Sequence, residues 1–114
     1  MDDRTLKWIA DIHASIEEIQ EFLGKNKVKS FAQYSKNRLV KRAVERDLAI
    51  IGEAVNKIKK EDPELFDAIE HAKSIIALRN HLIHAYDSIS DENIWSILVN
   101  HLPKLDLEVK KIME

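Results

Sequence analysis

The chain has 114 residues, of which 45% are hydrophobic and 33% are charged, and it contains two glycines, two prolines and no cysteine. This composition predicts one folded domain over residues 1–114 and excludes a disordered chain, a disulfide-stabilised fold and metal sites built on thiolates. The formal net charge of −2 argues against a protein that binds nucleic acid over its whole surface. The first residues lack the apolar segment of a secretory signal, and no apolar run approaches the roughly 20 residues of a membrane span, so we expect a cytoplasmic protein.

Apolar residues recur at helical spacing in the first half of the chain and predict three helices. The first helix covers about residues 3–23, with Gly24 as its C-terminal stop. After a basic loop, Ser30 is expected to cap a short helix over residues 31–36. A long helix then follows over about residues 37–59.

Capping signals define the helices of the second half. Asp62 and Pro63 form a start signal for a short helix, with aspartate as the N-cap and proline at the first helical position. A longer helix is expected over residues 72–85, and Ser90 caps a further helix that Pro103 kinks or restarts. Because no segment alternates convincingly with a period of two, the predicted fold class is all-α, an antiparallel bundle of four main helices with short extra helices.

Basic residues are concentrated between residues 25 and 46, where eight lysines and arginines accompany one acid, Glu45. Such a segment on an acidic chain is either a phosphate-binding face or a solvated helix face and loop. Lys41, Arg42 and Arg46 are the candidates for phosphate contacts.

Two charged residues interrupt the apolar stripes of the predicted helices. Each helical residue advances about 100° around the axis, and this places Arg79 at the centre of the stripe of its helix. Asp47 lies in the middle of the stripe of the long helix. A lone buried guanidinium would cost several kcal/mol, so Arg79 needs either a wet cleft or a partner, for which Asp47 and then Glu53, at the edge of the same stripe, are the candidates. The pair is either a structural ion pair or part of a functional site.

The stretch RNHLIHAY, residues 79–86, carries more polar chemistry than a core helix needs. His84 follows Asn80 by four residues, so the two are helical neighbours. An imidazole with a pKa near 6.5 can act as acid or base near neutral pH, and a guanidinium can hold phosphate oxygens. His81 is the weaker candidate, on the far side of the helix from Arg79. No metal site is expected from His81 and His84, because no acid lies at helical spacing beside them.

The same stretch resembles a known signature. Arg79, His84 and Tyr86 fit the R-x4-H-x-Y pattern of HEPN-domain toxins of the HepT type. The stretches DIHASIEEIQEFL, RAVERDLAIIGEAVNKI and IWSILVNHLPKL also resemble the family's helices, so the likeness covers nearly the whole chain. It implies a HEPN-like helical domain and a cytoplasmic toxin of a type VII toxin–antitoxin system. Such toxins are described as homodimeric, metal-independent endoribonucleases that need no cofactor. Their antitoxin is described as a MntA-type minimal nucleotidyltransferase that silences them by transferring AMP to the motif tyrosine, here Tyr86.

The resemblance implies roles for Arg79, His84 and Tyr86, and the chemistry, stripe positions and charges described above suggest roles for the other candidates. Arg79, Asn80 and His84 would be catalytic, with support from Asp47 and Glu53. The basic residues named above would contact the RNA backbone. Two other interpretations remain open: a non-catalytic subunit that positions substrate for a minimal nucleotidyltransferase, and a purely structural dimerisation bundle in which Arg79 and Asp47 are only a buried pair.

Overall fold

A computed structural model describes residues 1–84 and 89–114 of the chain. The described residues are almost entirely helical, which confirms the all-α fold class. The elements in chain order are α1 (Asp3–Lys25), α2 (Phe31–Lys36), α3 (Arg38–Glu61), α4 (Pro63–Ala68), α5 (Ala72–His84), α6 (Asp91–Ser96), a π-helical turn (Ile97–His101) and α7 (Leu102–Met113). No described helix combines the length and the apolar character needed to cross a membrane.

Three predicted helix starts are confirmed by side-chain caps. Ser30 accepts a hydrogen bond from the backbone N–H of Gln33 at the start of α2. Asp62 and Ser90 cap α4 and α6 in the same way. Each cap satisfies a backbone donor that the first helical turn leaves without a partner, so these starts depend on local sequence alone.

The predicted end of the first helix at Gly24 is wrong. α1 continues to Lys25, and Asn26 is its C-cap. The Asn26 side chain donates to the carbonyl of Phe22 and so satisfies one of the last carbonyl groups of the helix. The left-handed residue comes later and is Lys27, with φ 55°.

The long helix α3 lies between two others. α1 packs on one side of it, and the ion pair Arg4–Glu61, at 3.2 Å, joins the start of α1 to the end of α3, so these helices are antiparallel. α5 packs on another side of α3, and α7 packs against α1. The core fills the space between them with isoleucine, valine and leucine side chains and the ring of Tyr34.

The last helical stretch contains a wide turn. Between α6 and α7 the backbone N–H of Leu102 bonds to the carbonyl of Ile97, five residues earlier. Pro103 follows at once, and it has no N–H to donate to the carbonyl four residues before it. The predicted disturbance at Pro103 is therefore a π-helical turn within one helical stretch.

Candidate active site

The geometry of Arg79 depends on a glycine in α3. A β-carbon built at Gly52 would lie 2.2 Å from the Cβ and 2.8 Å from the Cγ of Arg79, and 3.2 Å from the carbonyl oxygen of Ile75. No side chain larger than hydrogen fits there without moving α5. Gly52 therefore lets α5 approach α3 closely at the motif arginine. We did not identify Gly52 from the sequence, although a glycine inside a long helical stripe is a signal, because it costs about 1 kcal/mol relative to alanine.

The guanidinium of Arg79 is only partly satisfied within the described residues. The side chain is half-buried, its Nη1 donates to Oδ1 of the neighbouring Asn80 at 2.9 Å, and its buried Nε has no hydrogen-bond partner. A buried donor left without a partner costs about 1–3 kcal/mol, so a group that accepts from this nitrogen would bind favourably.

The expected pair of Arg79 with Asp47 is wrong. Asp47 is 2% exposed, but the side chains that act on it are Ser15 and Glu18 of α1 and the neighbouring Arg46, and Arg79 is not among them. Its Oδ2 has no hydrogen-bond partner among the described residues. Asp47 and Gly52 are five residues apart and therefore point about 140° apart on α3, one toward α1 and the other toward α5.

Burial determines the ionisation of Asp47. Desolvation, with a smaller effect of Glu18 in the same direction, raises the pKa of Asp47 to about 7. The charge of Arg46 and the hydroxyl of Ser15 act in the opposite direction but are outweighed, so burial favours the neutral form of this acid. The second expected partner is also elsewhere: Glu53 is exposed and lies 3.6 Å from Lys57, so it does not pair with Arg79 or Arg46.

The other motif residues lie at the end of α5. Asn80 and His84 are both exposed, and α5 carries them one turn apart on the same flank. His81 is exposed as well. Arg79 and His84 are separated along the axis by roughly 7.5 Å. The predicted modification site, Tyr86, lies outside the described residues.

The predicted phosphate-binding residues of α3 fall into two groups. Lys41 lies 3.0 Å from Asp91, and Arg42 lies 2.9 Å from Glu45. Arg46 is exposed and has no ion pair among the described residues. Two of the three candidates are therefore engaged by acids of the same chain.

An apolar cavity of about 40 Å³ lies between α3, α5 and α7, and none of the described motif residues lines it. His71 and His101 line its edge with ring centroids 5.2 Å apart. His71 adopts a left-handed backbone conformation, with φ 64°. Across the described residues, no group of three or more histidine, aspartate or glutamate side chains is arranged to hold a metal ion.

Comparison with known proteins gives the family. A family model described as "Ribonuclease HepT-like" matches residues 12–112, which is most of the chain. The chain belongs to the HepT-like ribonuclease family. The predicted resemblance to HepT-type proteins is confirmed by this match.

HepT-like relatives occur in a bacterium and an archaeon. "Putative RNase TTE0752" of Caldanaerobacter subterraneus subsp. tengcongensis is 32% identical over 99 residues, covering 87% of this chain and 88% of the relative. "Putative RNase MJ1380" of Methanocaldococcus jannaschii is 33% identical, covering 96% of this chain and 98% of the relative. "Putative RNase MJ1216" of the same archaeon is 29% identical, covering 100% and 92%. No solved structure gives a significant match.

Proposed function

We propose that this HepT-like chain is a metal-independent endoribonuclease and the toxin of a type VII toxin–antitoxin system, with Arg79, Asn80 and His84 as its catalytic residues. The observation that carries the proposal is the motif arginine. Its stem is held against Gly52, and its buried Nε has no hydrogen-bond partner among the described residues. The exposed His84 follows five residues later and about 140° around the helix, so the long arginine side chain must reach the phosphate on which His84 acts. Cleavage of a phosphodiester requires a cation with free donors and an acid–base group that act on the same phosphate. Membership of a ribonuclease family supports the choice of RNA.

In the proposed reaction, the imidazole of His84 takes the proton of a 2′-hydroxyl. The 2′-oxygen attacks the adjacent phosphorus, and the bond from phosphorus to the 5′-oxygen breaks. Arg79 stabilises the charge that develops on the phosphate oxygens, and Asn80 keeps its guanidinium in place until substrate binds. A second imidazole returns a proton to the leaving 5′-oxygen. The products are a 2′,3′-cyclic phosphate and a 5′-hydroxyl.

The second imidazole is the reason for a homodimer. One chain supplies one motif histidine, whereas a symmetric pair supplies two, one for each proton transfer. Ile83, beside His84, is 47% exposed, and a second copy packing against the end of α5 would bury it.

The residues outside the motif would contribute to different extents to RNA binding and to the geometry of the site. Arg46 is retained as a contact to the RNA backbone, because it is exposed and has no salt bridge among the described residues. Lys41 and Arg42 can contribute only if RNA displaces Asp91 and Glu45. Asp47 would support the site indirectly, through the packing of α1 on α3, and Glu53, exposed and paired with Lys57, would have at most an indirect role.

Control by a partner is part of the proposal. A MntA-type nucleotidyltransferase would transfer AMP from ATP to the hydroxyl of Tyr86, releasing pyrophosphate. The attached phosphodiester is an anion two residues from His84, and it would compete with substrate phosphate for Arg79. The adenosine would add a steric block.

The test uses purified protein and a labelled RNA. Arg79→Ala and His84→Ala should each lower cleavage by at least about 100-fold, while circular dichroism and the oligomeric state stay unchanged. His81→Ala removes an exposed histidine from the same helix outside the motif, and it should keep wild-type cleavage. Activity should persist in excess EDTA. Wild-type cleavage by the His84→Ala protein would disprove the mechanism, and loss of activity in EDTA would require a metal.

A further inference from the structure

The cations between residues 25 and 46 are not equivalent in the folded chain. Lys25 lies 2.6 Å from Glu21, and, as described above, Asp91 and Glu45 engage Lys41 and Arg42. These three charges are largely compensated within the chain. The other five cations of the segment have no salt bridge among the described residues, and three of them lie together at the corner where α1, α2 and α3 meet.

This corner forms a shallow concavity of about 500 Å³ with three exposed cations, Lys27, Lys36 and Arg38. The other lining residues are amides and one apolar side chain: Asn26, Val28, Gln33 and Asn37. No carboxylate lines it, and among the described residues none of the three cations has an acidic partner within salt-bridge distance. Three uncompensated positive charges around one concavity attract an anion.

The corner is preorganised by its backbone. Only Asn37 separates α2 from α3, and its Oδ1 accepts from the N–H of Val40 at 3.0 Å, so Lys36 and Arg38 sit on fixed helix ends. On the other side, the buried Val28 anchors the loop that carries Lys27. Binding a ligand to these three cations therefore costs little backbone entropy of the protein, because the backbone that carries them is already ordered.

The distance between the corner and the motif indicates that the anion bound at both is a polymer. Arg38 precedes Gly52 by 14 residues, close to four helical turns, so the two residues lie on the same side of α3 and roughly 21 Å apart along its axis. A single phosphate bound at the corner would be too far away to take part at Arg79. A nucleic acid strand reaches both places.

We propose that Lys27, Lys36 and Arg38 form a second phosphate-binding site, which holds the backbone of the RNA strand several nucleotides away from the bond cleaved at the motif. The assignment rests on the proposed ribonuclease function. The main contacts to the RNA backbone would then be made at this corner and not by Lys41 and Arg42 in the middle of the basic segment. The contacts are made to phosphates, so the site adds affinity for longer strands and no base preference.

The test measures RNA binding in a His84→Ala background, where the strand stays intact. Replacing Lys27, Lys36 and Arg38 together with glutamine should weaken binding of a long single strand roughly tenfold. It should also reduce the slope of log K against log salt by about 2, at about 0.7 per lost phosphate contact. The matched control, Lys60→Gln with Lys104→Gln and Lys111→Gln, makes the same charge change on exposed lysines elsewhere and should leave the slope unchanged.

Cleavage assays in the active chain separate this site from the motif. The triple glutamine variant should cleave a dinucleotide as the wild type does, because that substrate reaches only the motif, and should lose kcat/KM on a long strand. If the parent binds RNA and the triple variant shows the same salt slope, the corner site is wrong and the proposed function stands. If the wild type neither binds nor cleaves RNA, both are wrong. The assignment would also be wrong if the triple variant bound RNA like the wild type but no longer bound an acidic protein that the wild type binds, because the corner would then be a protein-binding site.

Discussion

Replacing Gly52 with alanine tests the close contact between α3 and α5. The added methyl would lie 2.2 Å from Cβ of Arg79, whereas carbon atoms in contact lie about 3.5–4.0 Å apart. Moving the exposed end of a flexible side chain cannot relieve this overlap, because the obstructing atom is attached to the backbone. α5 must therefore move away from α3 by at least about 1 Å, and Arg79 moves with it.

The expected effects on activity and stability differ in size. A displacement of about 1 Å at a positioning element can cost on the order of 100-fold in rate, so cleavage should fall by about that factor. For stability, alanine gains about 1 kcal/mol of helix propensity over glycine, and overpacking costs about 1–3 kcal/mol. The free energy of unfolding should therefore fall by no more than about 2 kcal/mol, and the variant should remain folded.

The chain carries its own control, since its only other glycine is also helical. A β-carbon at Gly24 would have no heavy atom within 4 Å. Gly24→Ala should raise the free energy of unfolding by about 0.5–1 kcal/mol and leave RNA cleavage unchanged. The assays are initial cleavage rates and urea denaturation of both variants. If Gly52→Ala cleaves like the wild type and gains the same stability as Gly24→Ala, the close approach does not position Arg79.

Two further predictions concern ionisation and modification. Asp47 has a folded-state pKa of about 7 against 3.8 for an ordinary aspartate, so its contribution to the free energy of unfolding is complete below about pH 4 and is lost as the pH rises to about 7. Asp47→Asn should remove this pH dependence of the free energy of unfolding and be more stable than the wild type at pH 8 by roughly 2–4 kcal/mol. The measurement is urea denaturation of both proteins from pH 4 to pH 8. If the free energies of unfolding of the two proteins change with pH in the same way, the assignment is wrong. For Tyr86, co-expression with a MntA-type nucleotidyltransferase should add AMP mass to the wild type but not to Tyr86→Phe, as measured by intact-protein mass spectrometry, and the same mass on both would place the acceptor elsewhere.

Local signals in the sequence were enough for the helix starts. The caps Ser30, Asp62 and Ser90 act on backbone groups three residues away, so they can be identified without knowing the fold. The end of α1 was misplaced because Asn26 competes with Gly24 for the role of terminator, and its amide bonds directly to a helix carbonyl. Residue propensities alone do not decide whether the helix ends at Gly24 or at Asn26, two residues later.

Tertiary pairing could not be derived in the same way. The apolar stripe of α3 is wide because α1 and α5 both pack on it, and the sequence does not say which helix covers which part of that stripe. Asp47 and Arg79 were each correctly expected on a packed face, but not on faces that meet. The engagement of Lys41 by Asp91, fifty residues later, likewise depends on how α6 returns to α3.

The π-helical turn at Ile97–His101 holds one residue more than an α-helical turn of the same height. Loss of one residue from this turn would convert it to an ordinary α-helix and leave the buried residues of α6 and α7, such as Ile94 and Val109, facing the core as before. Loss of a residue within α3 would instead rotate every later position of that helix by about 100°. Homologous chains that are one residue shorter are therefore expected to lack that residue at this turn, where its deletion leaves the bundle intact.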